Sequence, residues 1–184
     1  MRYLHSFDEC QKAANEISRV LSKTEISIYS HCVGSAVALQ LLKNLEKDGI
    51  RIKRYFAGAS IPPSKTAKRN SWNIVPDFIL KRILNNAGAG MDKLSNDVVK
   101  DILRRFRLDT DFSVISYADN SFKLKTPAII IVSKYDVFTK NYDDAKALWK
   151  KYFDDVYETH FIDTQSHYFQ SVNSDDVADI IIGK

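Results

Sequence analysis

Apolar residues along this chain switch between two spacings, and the switches predict alternating helices and strands. Cys10, Ala13, Ala14, Ile17, Val20 and Leu21 recur on one helical face, behind a Ser6–Glu9 capping box, which predicts a helix over 6–22. Ile26 and Ile28 then alternate with other residues, as a short strand over 25–29 would. Val33, Ala36, Val37, Leu41 and Leu45 return to helical spacing, so a second helix runs over 33–47, with Gly49 as its C-cap. A strand over 52–59 follows, ending in Ala57-Gly58-Ala59-Ser60 and stopped by Pro62-Pro63. Ala128 to Val132, AIIIV, is the β-branched run expected of a strand buried on both faces. A helix over 142–153 with Trp149 and Phe153, a strand over 157–162, and a helix from Ser174 through Ile182 complete the pattern. Ser174 is the expected cap of that last helix, with Asp175 and Asp176 in its first turn. Helices and strands in this order with short connections predict a parallel α/β sheet.

From Ser64 to Lys125 the pattern is different, because no segment reads as a core strand. Three short amphipathic helices are predicted there: Pro76 to Leu84, Asn96 to Phe106 and Asp109 to Tyr117. Asn85-Asn86-Ala87-Gly88-Ala89-Gly90 reads as a flexible joint between the first two. An insertion of this length exceeds what a crossover needs, and such segments commonly serve as lids or binding elements. Trp72 and its apolar neighbours either cover a ligand or pack the insertion against the body.

Composition narrows the class. With 184 residues and 45% apolar content, residues 1–184 form one domain with a real core, carrying 64–125 as an insertion. No apolar run approaches the roughly 20 residues that cross a bilayer, and residues 1–20 are unlike a signal peptide, so a cytoplasmic protein with no membrane association is expected. Cys10 and Cys32 are then expected to be reduced. A net charge of +4 is too small to argue for nucleic acid. Its excess lies in 61–126, with twelve Lys or Arg against seven Asp, which suits an acidic partner or simply a solvated helical surface.

The candidate chemistry sits where strand 25–29 meets helix 33–47. Ser30-His31-Cys32-Val33-Gly34 reads as a G-x-S-x-G elbow with Cys in place of the serine and Ser in place of the first glycine. The tight turn calls for small residues two places either side of the nucleophile. A helix beginning at Val33 places free N–H groups and a positive dipole end beside Cys32, which favours thiolate and can hold an oxyanion. The alternative is a cysteine that is merely a small buried hydrophobe. Asp136 follows strand 128–132 and His167 follows strand 157–162, so nucleophile, acid and base appear in α/β-hydrolase order at the sheet edge where such sites lie.

These residues resemble a known family, the thioesterases of nonribosomal peptide and polyketide synthesis. Ser30-His31-Cys32-Val33-Gly34-Ser35-Ala36 is similar to its GHSxG or GHCxG elbow, and Gly58-Ala59-Ser60-Ile61-Pro62-Pro63 to its segment after the next strand. Arg105-Phe106-Arg107-Leu108-Asp109-Thr110-Asp111-Phe112 resembles the lid sequence near LLRAD. Lys134-Tyr135-Asp136 resembles the acid loop and Ser166-His167-Tyr168-Phe169 the base loop GGHFFL. An acid after AIIIV, with no Asp at Ala59 or Ser60, is closer to the free-standing type II enzymes.

The resemblance implies the C-terminal part of an α/β-hydrolase-like fold with a helical lid. It implies Cys32 as nucleophile, His167 as general base, Asp136 as its orienting acid and the Val33 N–H as an oxyanion donor. The implied activity is hydrolysis of acyl or peptidyl thioesters on a carrier protein or synthase, whose phosphopantetheine arm brings the only cofactor. An acyltransferase on the same fold and an inert carrier-binding module are the alternatives. The family's first strands precede the helix at residue 6, so the chain is expected to be a fragment, a product of a missed upstream start, or a shortened paralogue with strand 25–29 at an open edge. One of the absent loops normally gives the second oxyanion donor, worth roughly a hundred- to a thousandfold in rate.

Overall fold

The computed structural model describes residues 4–21, 24–62, 72–119, 121–136, 138–139 and 142–184. Within them four parallel strands, β1 (Ile26–His31), β2 (Ile52–Gly58), β3 (Ala128–Ser133) and β4 (Val156–Ile162), lie in the order β1-β2-β3-β4. Around them run α1 (Phe7–Leu21), α2 (Gly34–Lys47), α3 (Asp77–Asn86), α4 (Asn96–Ala118), α5 (Ala145–Trp149), α6 (Phe169–Val172) and α7 (Ser174–Ile182). The parallel α/β architecture is the one the sequence predicts.

Strand β3 is buried on both faces, as its composition requires. Ala128, Ile130 and Val132 join the larger core with Leu39, Leu42, Tyr55 and Trp149, on the side of α2 and α5. Ile129 and Ile131 point the other way, to Phe56, Phe169 and Val177 under α6 and α7. The capping box also forms: the Glu9 N–H donates to Ser6 Oγ, while Glu9 Oε2 accepts from Ser6 Oγ and from the His5 N–H. Helix α2 stops at Gly49 (φ 76°), where the Gly49 and Ile50 N–H groups return to the carbonyls of Glu46 and Leu45 in a Schellman closure.

The predictions need correction in four places. The helices expected over 96–106 and 109–117 are one helix, α4, because Arg107 and Leu108 continue it with no Gly or Pro between. The helix expected over 142–153 is a 3-10 turn (Tyr142–Asp144) followed by the short α5. Tyr152 and Phe153 leave it to meet Leu124, through a parallel bridge and the Leu124 N–H to Tyr152 O bond. The last helix is capped at Asn173, with Ser174 its first residue, and a turn of helix, α6, precedes it unpredicted. The 85–90 joint is a fitted turn whose Ala87 is buried and whose carbonyl accepts the His167 N–H at 3.1 Å.

The inserted helices have a small core of their own, Leu80, Leu84, Met91, Val99 and Leu103. Arg107 ties the preceding segment to them through the Trp72 and Val75 carbonyls and Asp77. The C-terminal half of α4 is fastened to α2: Gln40 Nε2 donates to Ser116 Oγ, Ser116 Oγ to the Ala36 carbonyl, and Lys43 pairs with Asp119 at 2.7 Å. The insertion is thereby held over the C-terminal end of the sheet.

Candidate active site

The turn from β1 into α2 puts Cys32 in the left-handed region, φ 54°, where a non-glycine residue is rare and clusters at functional sites. The Cys32 N–H donates to the Gly58 carbonyl at 2.8 Å, which fixes the corner to β2. The Val33 N–H, at the start of α2, has no acceptor among the described residues. Ser30 fills the place of the first elbow glycine because its hydroxyl is used: Oγ lies 2.8 Å from Ser35 Oγ and 2.7 Å from Tyr55 Oη. Gly34 is a correction to the expectation of crowding, since a Cβ there would meet nothing within 4 Å. Cys10 and Cys32 are both free thiols, and burial of Cys10 pushes its pKa up to about 11.

Across the cavity stand Asp136 and His167, brought together from the ends of β3 and β4. His167 Nδ1 lies 2.7 Å from Asp136 Oδ2, and the pair is almost wholly buried. Asp136 also accepts from Thr139 Oγ1 at 2.7 Å and from the Phe138 N–H at 2.9 Å. Burial alone would raise its pKa, but His167 and these two donors outweigh burial and hold it below the usual carboxylate value. Burial likewise opposes charge on His167, yet the bond to Asp136 and the proximity of Cys32 win, and its pKa rises to about 9. The other ring nitrogen, Nε2, is buried with no hydrogen-bond partner among the described residues, on the ring whose pKa Cys32 helps to raise.

These groups meet a cavity of about 550 Å³ between the sheet and the insertion. Cys32, Val33, His167 and Tyr168 line it together with the apolar Ile61, Trp72, Leu84, Ile102 and Phe106, and Arg105, Asp109, Thr110, Ser113 and Gln170 supply polar groups. Such a space suits one small organic ligand. Of the residues singled out in the sequence, Cys32, Val33, Asp136 and His167 come to this one place. Ser30 and His31 stand in the elbow motif, but their hydrogen bonds were not foreseen; Thr139 was missed although it had a local signal, a hydroxyl three residues after an Asp.

A four-stranded parallel sheet with flanking helices, a left-handed cysteine at the corner after β1, and Asp136 and His167 in the loops after β3 and β4 make a fold of the α/β-hydrolase type. No protein-family profile matches the chain, and no curated protein matches it. Solved structures do match. Human thioesterase 2 superposes on 100% of this chain with a TM-score of 0.69 at 14% identity, the chain spanning 83% of it. YbtT, a type II thioesterase from the yersiniabactin NRPS/PKS pathway, has a TM-score of 0.73 at 17% identity, with coverages of 97% of this chain and 73% of YbtT. ClbQ from the colibactin NRPS/PKS pathway has 0.68 at 16%, covering 98% of this chain and 77% of its own. The structural neighbours are mostly thioesterases of such pathways, and this chain has their fold. No described helix is long and apolar enough to cross a membrane.

Proposed function

We propose that this chain is a thioesterase that hydrolyses acyl or peptidyl thioesters held on the phosphopantetheine arm of a carrier protein. The observation that carries the reading is the convergence on one apolar cavity of a cysteine at φ 54° and a buried His–Asp pair 2.7 Å apart. The thioesterase fold of the neighbours supports it, and Cys32, His167, Asp136 and Val33 take the roles the sequence suggests.

In the first half-reaction His167 Nε2 holds the proton that leaves Cys32 Sγ, and the sulfur attacks the thioester carbonyl. The developing oxyanion accepts from the Val33 N–H. Collapse breaks the bond to the carrier's sulfur, which departs with the proton from His167. In the second half-reaction His167 removes a proton from water as it attacks the acyl-Cys32 carbonyl, and collapse returns the acid and the Cys32 thiol. Asp136 keeps the His167 proton on Nδ1, leaving Nε2 to work. The first step exchanges one thioester for another of similar energy, so deacylation sets the rate.

The test is the intact mass of the protein after exposure to an acyl-pantetheine thioester. An acyl adduct is expected that decays slowly, is absent from Cys32→Ala and is much reduced in His167→Ala. A folded wild-type protein that takes no adduct and releases no acid would overturn the reading. Product captured by an added amine or alcohol in preference to water would make the chain an acyltransferase.

A further inference from the structure

His31 precedes Cys32 and takes no part in the steps above, yet both of its ring nitrogens are engaged. Nε2 lies 2.8 Å from the main-chain carbonyl of His167, and Nδ1 lies 2.8 Å from Tyr29 Oη. Burial lowers its pKa to about 4, so the ring carries a single proton at neutral pH. A carbonyl only accepts, which places that proton on Nε2; Nδ1 is therefore the acceptor and Tyr29 the donor. The groups facing His31 are Tyr29, Tyr168, Phe169 and the His167 ring, with Asp136 the nearby anion.

We propose that His31 is a positioning residue whose imidazole, its proton held on Nε2 by the His167 carbonyl and its Nδ1 anchored by the Tyr29 hydroxyl, grips that carbonyl and sets where the base stands relative to Cys32. The proposal rests on His167 being the base. The need for such a strut follows from the topology. Cys32 leaves β1 and His167 follows β4, the two outer strands of the described sheet, so no ladder bonds join their backbones. The His167 N–H is held by Ala87 of the insertion. The bond from His31 ties the same residue to the strand that carries the nucleophile. Gly58 serves the arrangement too, since a Cβ there would collide with the Tyr29 phenol, its Cζ being 2.8 Å away.

Three variants test this: His31→Leu, which removes the donor; His31→Gln, whose amide N–H reaches the place of Nε2; and Tyr29→Phe, which removes the anchor on Nδ1. Hydrolysis kinetics are read beside nitrogen-15 imidazole shifts and the Nδ1–H proton resonance of His167. His31→Leu is expected to lower kcat on the order of a hundredfold, the cost of a misplacement of about 1 Å, with KM little changed and the His167 resonance shifted. His31→Gln should recover most of kcat, and Tyr29→Phe, which leaves the Nε2 proton on the His167 carbonyl but frees Nδ1, should lose several-fold. An unchanged kcat in His31→Leu, equal losses in the Leu and Gln variants at equal thermal stability, or a wild-type Nδ1–H tautomer would each overturn the strut. If wild-type turnover proves independent of Cys32, the thioesterase reading falls on its own. The resonance of His167 in His31→Leu then still decides: a shift supports the strut and no shift overturns it.

Discussion

Asp136 meets the ring of His167 and His31 its main-chain carbonyl, and each gives a distinct expectation for a single substitution. Asp136 has no exposed surface, and its carboxylate accepts from His167, Thr139 and the Phe138 N–H. Asp136→Asn keeps that volume but offers an amide in place of the charge that fixes the His167 tautomer. On the proposed mechanism kcat should fall by roughly 10³- to 10⁴-fold while the fold persists, as steady-state kinetics and circular dichroism would show together. His31 governs stability as well as placement. Folded, it resists protonation down to about pH 4, whereas the unfolded residue protonates near pH 6.5. The unfolded state therefore gains a proton between those values, and stability should fall by about 2–3 kcal/mol as pH drops through that window. For His167 the folded pKa is the raised one, about 9, so its stabilisation is complete below pH 6.5 and is lost as pH rises toward 9. Urea unfolding as a function of pH should thus peak near 6.5, and His31→Phe should flatten the acid limb alone. An acid limb unchanged in His31→Phe would mean that another group causes it.

At the scale of elements, the ends of helices make the cleanest test because their geometry is local. Gly49 closes α2 at φ 76°, a conformation costly for a side chain bearing Cβ. Gly49→Ala should cost about 1 kcal/mol in chemical denaturation and leave any catalysis unchanged, since the site lies at the other end of the strands. The same locality decides what the sequence discloses. The Ser6–Glu9 box, the Gly49 stop and the AIIIV strand were readable because each is a pattern within a few residues. Cys32, Asp136 and His167 were readable as candidates because each stands at the end of a strand or in the loop that leaves it. What escaped reading is long-range. Helix 142–153 is cut short by a bridge to Leu124, and the Ala87–Gly90 turn is fixed by the His167 main chain. His31 meets a carbonyl 136 residues away. Such pairings leave no spacing in the sequence to find. The division of 96–118 into two helices has the opposite cause, reading a boundary where no residue imposes one.

For the molecule as a whole, the cavity lies between two bodies with separate cores, the sheet with its flanking helices and the inserted helices around Leu80 and Leu103. Its two tryptophans report on those bodies separately. Trp149 is fully buried in the sheet core, its Nε1–H donating to the Ser60 carbonyl, whereas Trp72 lines the cavity and packs edge-on against Phe106. If an acyl group occupies this space, its binding should alter the emission of Trp72 and leave that of Trp149 alone, so Trp72→Phe should abolish the acyl-dependent signal. Chain length then measures the cavity. Each methylene transferred from water to the apolar lining contributes about 0.8 kcal/mol, close to fourfold in affinity, until the space is full. A series of acyl-pantetheine thioesters titrated against Cys32→Ala should therefore tighten stepwise and then level off or weaken. Affinity independent of chain length, or a fluorescence change that survives Trp72→Phe, would place the acyl group outside this cavity and leave the insertion with only a packing role.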